Sequence, residues 1–266
     1  MSCPAGHARG ARPVPRWDAV ILCAGFATRL YPLTRHQAKP LLPIGPKSAI
    51  SYVLDSLFAI REAGLARIVL VSNERFAADF RNALAGPFPV PIHVISNGAA
   101  SEKEKRGAVG DMAVGAAAVR KGRPFLVLAG DNLFTLDLHE VLRRYEQVGG
   151  RPVIVLHRAP TVEETAKYNN LARTRDGRIR AFYEKPAKPW SRRFATCIYA
   201  FPAHVGARLD EFLAAGNDPD KAGNFVRWLA EVEPVYTCEP KGAWFDIGSL
   251  EEMRIAGEFF TNLHKT

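Results

Sequence analysis

Apolar residues fall in two rhythms along this chain. Solid short runs occur at 20–23, 67–71, 90–95 and 124–129. Runs of that length suit strands buried on both faces. Between them, apolar positions recur three and four apart. Ile50, Val53, Leu54, Leu57 and Phe58 line one face of a helix over 49–63, with Gly64 placed to cap its end. Further helices are expected over 74–84, closed by Gly86-Pro87, and over 108–119. Strand and helix alternating in this way predict a mostly parallel sheet with helices on both faces. Ligands then bind beyond the carboxyl ends of the strands.

The second half is less regular. Strands are expected at 153–157, 170–174, 179–183 and 196–201, with Asp176-Gly177 as a hairpin turn. Helices follow at 203–214 and 225–231, then a strand at 234–238. A closing helix over 249–263 carries Ser249 and Glu252 as a capping box. The expected fold class is α/β: a Rossmann-like three-layer sandwich with a mostly parallel central sheet and a mixed, antiparallel extension. Residues 1–16 read as a disordered basic tail and 17–266 as a single domain. Its expected parts are 17–150, 151–248 and the closing segment 249–266, with Gly149-Gly150 at the first seam.

Bulk numbers narrow the class. The 266 residues are 47% hydrophobic and 24% charged, as in soluble globular proteins. No apolar run reaches the roughly 18 residues a membrane helix needs, and the first 16 lack the apolar core of a secretory signal. Cys3, Cys23, Cys197 and Cys238 form no C-x-x-C pair, so no zinc site or disulfide framework is expected, and a cytoplasmic location fits. The net charge is +9. It comes from dispersed arginines rather than a basic block, so small anionic substrates are expected and nucleic acid is not.

Candidate chemistry concentrates after the first strand. The loop 24–34 begins with Ala24, Gly25 and Thr28, small enough for the backbone to approach phosphate oxygens. Arg29 supplies a planar fork and Lys39 a point charge, which together suit a nucleoside triphosphate. The segment is neither a Walker loop nor the dinucleotide fingerprint. Asp131 ends a buried strand in Ala-Gly-Asp-Asn, and Asp246 stands in Trp-Phe-Asp-Ile-Gly. Each alone reads as a turn residue. Glu184-Lys185-Pro186 follows a strand, and Arg106-Gly107 opens a helix.

Taken together, 22–34 with T-R-L-x-P-L-T, then K-P-L-L-P at 39–43, G-D at 130–131, E-K-P at 184–186 and W-x-D-x-G at 244–248 resemble the sugar-1-phosphate nucleotidylyltransferases. The resemblance spans about residues 17–260 and looks most like the glucose-1-phosphate thymidylyltransferases. It implies transfer of a nucleotidyl group to a sugar 1-phosphate with release of pyrophosphate. It assigns Arg29, Lys39 and Lys185 to catalysis. Ala24, Gly25, Thr28, Arg29, Gly107 and Asp131 would hold the nucleotide, and Asn170, Glu184, Lys185 and Thr196 the sugar phosphate in a sugar-binding extension. Asp131 and Asp246 would hold Mg2+. It favours dTTP or UTP, leaves GTP and CTP open, and implies homo-oligomers. This chain departs from the pattern at Ala27, Ala38, Asn169 and Cys197. Asn169 replaces a family Gly and is expected to keep a left-handed backbone. Two alternatives stay open: a cytidylyltransferase for a non-sugar phosphate, and an inactive regulatory subunit that binds nucleotide sugar.

Overall fold

The computed structural model describes residues 16–263. The basic tail, apart from Arg16, and Cys3 lie outside the described residues.

The first half builds β1 (Trp17–Cys23), a small hairpin of β2 (Pro43–Ile44) and β3 (Lys47–Ser48), and α1 (Ala49–Ala59). It continues through β4 (Leu65–Ser72), α2 (Ala77–Ala83), β5 (Ile92–Ser96), α3 (Gly107–Ala118), β6 (Phe125–Ala129) and β7 (Asn132–Phe134). The expected helix over 49–63 stops at Ala59 and finishes as a 3-10 turn, and Gly64 takes the left-handed backbone of a cap. The expected helix over 74–84 likewise begins with a 3-10 turn, capped by the Asn73 side chain.

α4 (Leu138–Gln147) follows, then β8 (Val153–Arg158), β9 (Asn169–Arg173), β10 (Ile179–Glu184) and β11 (Arg193–Phe201). α5 (Val205–Ala214), α6 (Ala222–Val232), β12 (Tyr236–Cys238), β13 (Trp244–Asp246) and α7 (Leu250–Leu263) complete the described chain. α4 is not among the helices expected from sequence, although its signal is present. Leu138, Val141, Leu142 and Tyr145 are buried at helical spacing, and the Asp137 side chain caps the first turn.

Seven strands form one sheet in the order β12-β8-β11-β6-β1-β4-β5. Six run in one direction, and β11 lies antiparallel between β6 and β8. Alternating residues serve two cores. Ala19, Ile21, Ile68, Leu70, Leu126 and Leu128 face the side of α1 and α4, while Val20, Val69, Val71, Phe125 and Val127 face α3, α5 and α6. Helices therefore cover both faces, giving the three-layer α/β fold expected. The sheet is more parallel than the pattern of the second half implies, because β8 and β12 keep the direction of β1. The antiparallel part is β11 together with a separate hairpin of β9 and β10.

Two features place the site. β13 pairs antiparallel with β7, with Asp246 opposite Asn132. Gly130 lets the end of β6 run tight beside β1, since a Cβ there would strike the Cys23 sulfur. Both bring Asp131 and Asp246 to the carboxyl end of the sheet.

Candidate active site

Two adjoining cavities open at that end of the sheet. One, of about 490 Å³, is lined by Ala24, Gly25, Thr28, Arg29, Gly107 and Asp131, among others. The other, of about 420 Å³, is lined in part by Arg29, Glu184, Lys185, Thr196 and Asp246. Arg29 and Cys197 border both.

The first loop is held by side chains rather than by regular structure. Asn73, just beyond β4, donates its amide to the Ala24 carbonyl at 3.1 Å. Ala27 takes a left-handed backbone, φ 50° and ψ 41°, and the Thr34 hydroxyl donates to its carbonyl at 2.7 Å. That backbone explains why Gly would fit at 27, and it turns the chain so that Arg29 stands exposed between the cavities. Arg29 has no ion-pair partner among the described residues. A Cβ at Gly25 would meet no protein atom, so its backbone faces open space.

Lys39 is 7% exposed, at the start of a 3-10 turn. Its Nζ lies 2.7 Å from Asp131 Oδ2 and 3.9 Å from Asp246 Oδ1. The two carboxylates, remote in sequence, thus meet around one ammonium. Burial and the nearby Asp131 charge raise the Asp246 carboxyl to about 6, against the pull of Lys39. Among the described residues, no three His, Cys, Asp or Glu side chains form a metal site. A two-carboxylate anchor nevertheless suits Mg2+, which takes its remaining ligands from phosphate and water.

At the second cavity, β10 ends in Glu184, and Lys185 follows with φ 45°. The Lys185 amide donates to the Tyr168 carbonyl at 2.8 Å. Glu184 packs against Gly223 of α6, where a Cβ would strike its carboxylate. Burial raises the Glu184 carboxyl, and Lys221 and Lys185 oppose the rise. Thr196 lies on β11 and donates its hydroxyl to the Val155 carbonyl at 3.1 Å.

Asn170 does not reach either cavity. It is fully buried, donates to the Thr165 hydroxyl and the Ser191 and Arg193 carbonyls, and accepts from the Trp190 amide. Its register on β9 turns it inward, while neighbouring Asn169 lines the second cavity. Asn169 is not left-handed as expected. Its side chain pairs with the backbone of Ala195, as a strand would, at 2.6 and 3.0 Å. Gly107 is left-handed, φ 73°, and a Cβ there would strike the Pro219 carbonyl. The Pro219 and Asp220 carbonyls accept from the Val109 and Ala108 amides, so this glycine admits a strap over the start of α3.

Sequence reasoning misses Lys221, which lines the second cavity with Lys185. An isolated lysine before a helix carries no motif. Asp111 likewise gains no role from the sequence, although it lines the first cavity.

Comparison with known proteins gives the chain a family. A family model described as nucleotidyl transferase matches residues 18–262. The chain belongs to that family. It is 28% identical to a UTP–glucose-1-phosphate uridylyltransferase of Synechocystis sp. over 88% of this chain and 61% of that protein. It is 27% identical to a mannose-1-phosphate guanylyltransferase catalytic subunit beta of Drosophila pseudoobscura pseudoobscura, over 86% of this chain and 58% of that one. The chain thus spans about three fifths of the length of these curated relatives. Among solved structures, a putative glucose-1-phosphate thymidylyltransferase of Bacillus anthracis has a TM-score of 0.79 at 18% identity, over 92% of this chain and 96% of that one. That likeness bears on the fold, which this member of the nucleotidyl transferase family shares. No helix among the described residues is long and apolar enough to cross a membrane.

Proposed function

We propose that this chain joins a nucleoside triphosphate to a sugar 1-phosphate, releasing pyrophosphate. The observation that carries the reading is the pairing of Asp131 and Asp246 around Lys39, between two cavities that share Arg29. The named activities of the relatives support it.

An oxygen of the sugar phosphate attacks the α-phosphorus, and the bond to the β-phosphate oxygen breaks in line. The attacking phosphate has a second pKa of about 6, so it is ionised at neutral pH and needs no general base. The task left to the protein is positioning and charge stabilisation. Arg29 meets the departing pyrophosphate, and Lys39 the charge on the α-phosphate. Lys185 and Lys221 draw the acceptor phosphate towards an already anionic partner, and Glu184 accepts from sugar hydroxyls. Asp131 and Asp246 would hold Mg2+, which supplies shielding of the phosphate charges. The inactive-subunit alternative predicts loss of one of these groups, and Arg29, Lys39 and both aspartates are present.

The test is pyrophosphate release with Mg2+, for five nucleoside triphosphates against several sugar 1-phosphates and phosphocholine. Arg29→Ala is expected to lower kcat about 10²–10³-fold, as for other electrostatic stabilisers, and Asp131→Asn to abolish turnover. Release with phosphocholine alone would select the non-sugar alternative. Full activity in Asp131→Asn would remove the metal role.

A further inference from the structure

The nucleotide-side cavity has two ends. Arg29 and Asp131 mark the phosphate end, beside the acceptor cavity. The other end is walled by Asn97, Arg106, Gly107 and Asp111. Asp111 is only 8% exposed, and no step above uses it. Its orientation is fixed. Asn97 Nδ2 donates to Oδ1 at 2.7 Å, and Asn97 is itself tied by its amide to the Ser72 carbonyl and by Oδ1 to the Ala99 amide. Oδ2 has no hydrogen-bond partner among the described residues, yet it is not one of the fully enclosed unpaired atoms. It therefore opens on the cavity. A nearly buried carboxylate oxygen left without a donor is costly. Arg106, on the same wall, makes no ion pair among the described residues and offers donors.

The base edges differ in what they show such a wall. Uracil and thymine present one N–H between two carbonyl oxygens, which a carboxylate repels. Cytosine and adenine present an amino group beside a ring acceptor. Guanine presents two adjacent donors, N1–H and the 2-amino group, with O6 and N7 as acceptors alongside. A carboxylate with Oδ2 free and only one donor on Oδ1 can accept from two adjacent donors, which among the bases guanine alone offers, while the guanidinium faces its acceptors. Burial lifts the Asp111 carboxyl to about 6, which leaves it ionised and purely accepting at neutral pH.

We propose that Asp111 reads the base of the donor nucleotide and selects guanine, in place of the dTTP or UTP expected from the sequence. This rests on the nucleotidyl-transfer reading and names its substrate. The test is calorimetric binding of GTP, inosine triphosphate, UTP, dTTP, CTP and ATP to the full chain with Mg2+ and no acceptor. GTP is expected to bind about tenfold to a hundredfold more tightly than UTP or dTTP. Inosine triphosphate, which lacks the 2-amino group, is expected to bind about tenfold more weakly than GTP. Asp111→Asn keeps an acceptor for Asn97 and should weaken GTP by a similar factor without weakening UTP. Equal weakening of every nucleotide would assign Asp111 to the ribose or the fold and overturn the proposal. So would equal binding of GTP and inosine triphosphate, which is read on the unaltered protein whether or not the variant folds. Binding of several triphosphates without a guanine preference overturns the base reading alone. Failure of folded protein to bind any triphosphate sinks the transfer reading and this inference with it.

Discussion

Asp111 also has a measurable effect on stability. Its native pKa of about 6 stands above the ordinary 3.8, so the folded chain keeps a proton that the unfolded chain has released. The stabilisation is therefore complete below about pH 4 and is lost as pH rises through about 6, a change of roughly 2–3 kcal/mol. Urea unfolding of Asp111→Asn should lack that part of the slope, leaving the variant the more stable at pH 7. An unchanged slope would mean that the carboxylate is better solvated than its burial implies. Residue positions are legible where type and spacing name a chemistry: Arg29, Lys39, Asp131 and Asp246 all stand at the cleft. They are not legible where burial decides. Asn170 and Asn169 are adjacent and identical in type, and only the register of β9 sends one into the interior and the other to the acceptor cavity.

At the scale of elements, a buried charged junction ties strands together at the opposite end of the sheet from the cleft. Asp18, fully buried on β1, accepts from Arg67 of β4 at 2.9 Å, from Arg123 at 3.1 Å and from the Arg120 amide at 3.0 Å. Removing the carboxylate leaves two guanidinium groups without their buried partner. Asp18→Ala is expected to cost roughly 3–5 kcal/mol in chemical denaturation, and a loss below about 1 kcal/mol would show that water takes its place. The strands of this sheet are legible because most bury both faces and read as solid apolar runs. The pairing of β7 with β13 is not. These are three-residue strands with little periodicity, and their partnership exists only in the folded chain.

Across the whole molecule the net charge is +9, although the cleft itself sets six cationic side chains against seven carboxylates. A field of that sign draws in anions, and salt screens it over about 8–10 Å at physiological strength. KM for the triphosphate is expected to rise several-fold between roughly 0.02 and 0.3 M salt, measured at fixed free Mg2+. A flat response would confine the positive charge to local contacts. The same large-scale view gives the β7–β13 pair a temporal meaning. Asp131 stands ready once β6 and its neighbours have formed, but Asp246 arrives on the last of the described strands. During synthesis, a nascent chain therefore holds every residue that lines the first cavity, through Asp220, before it owns both carboxylates. On the proposed function, competence waits on β13, and a chain interrupted before it would carry the first cavity without its second acid.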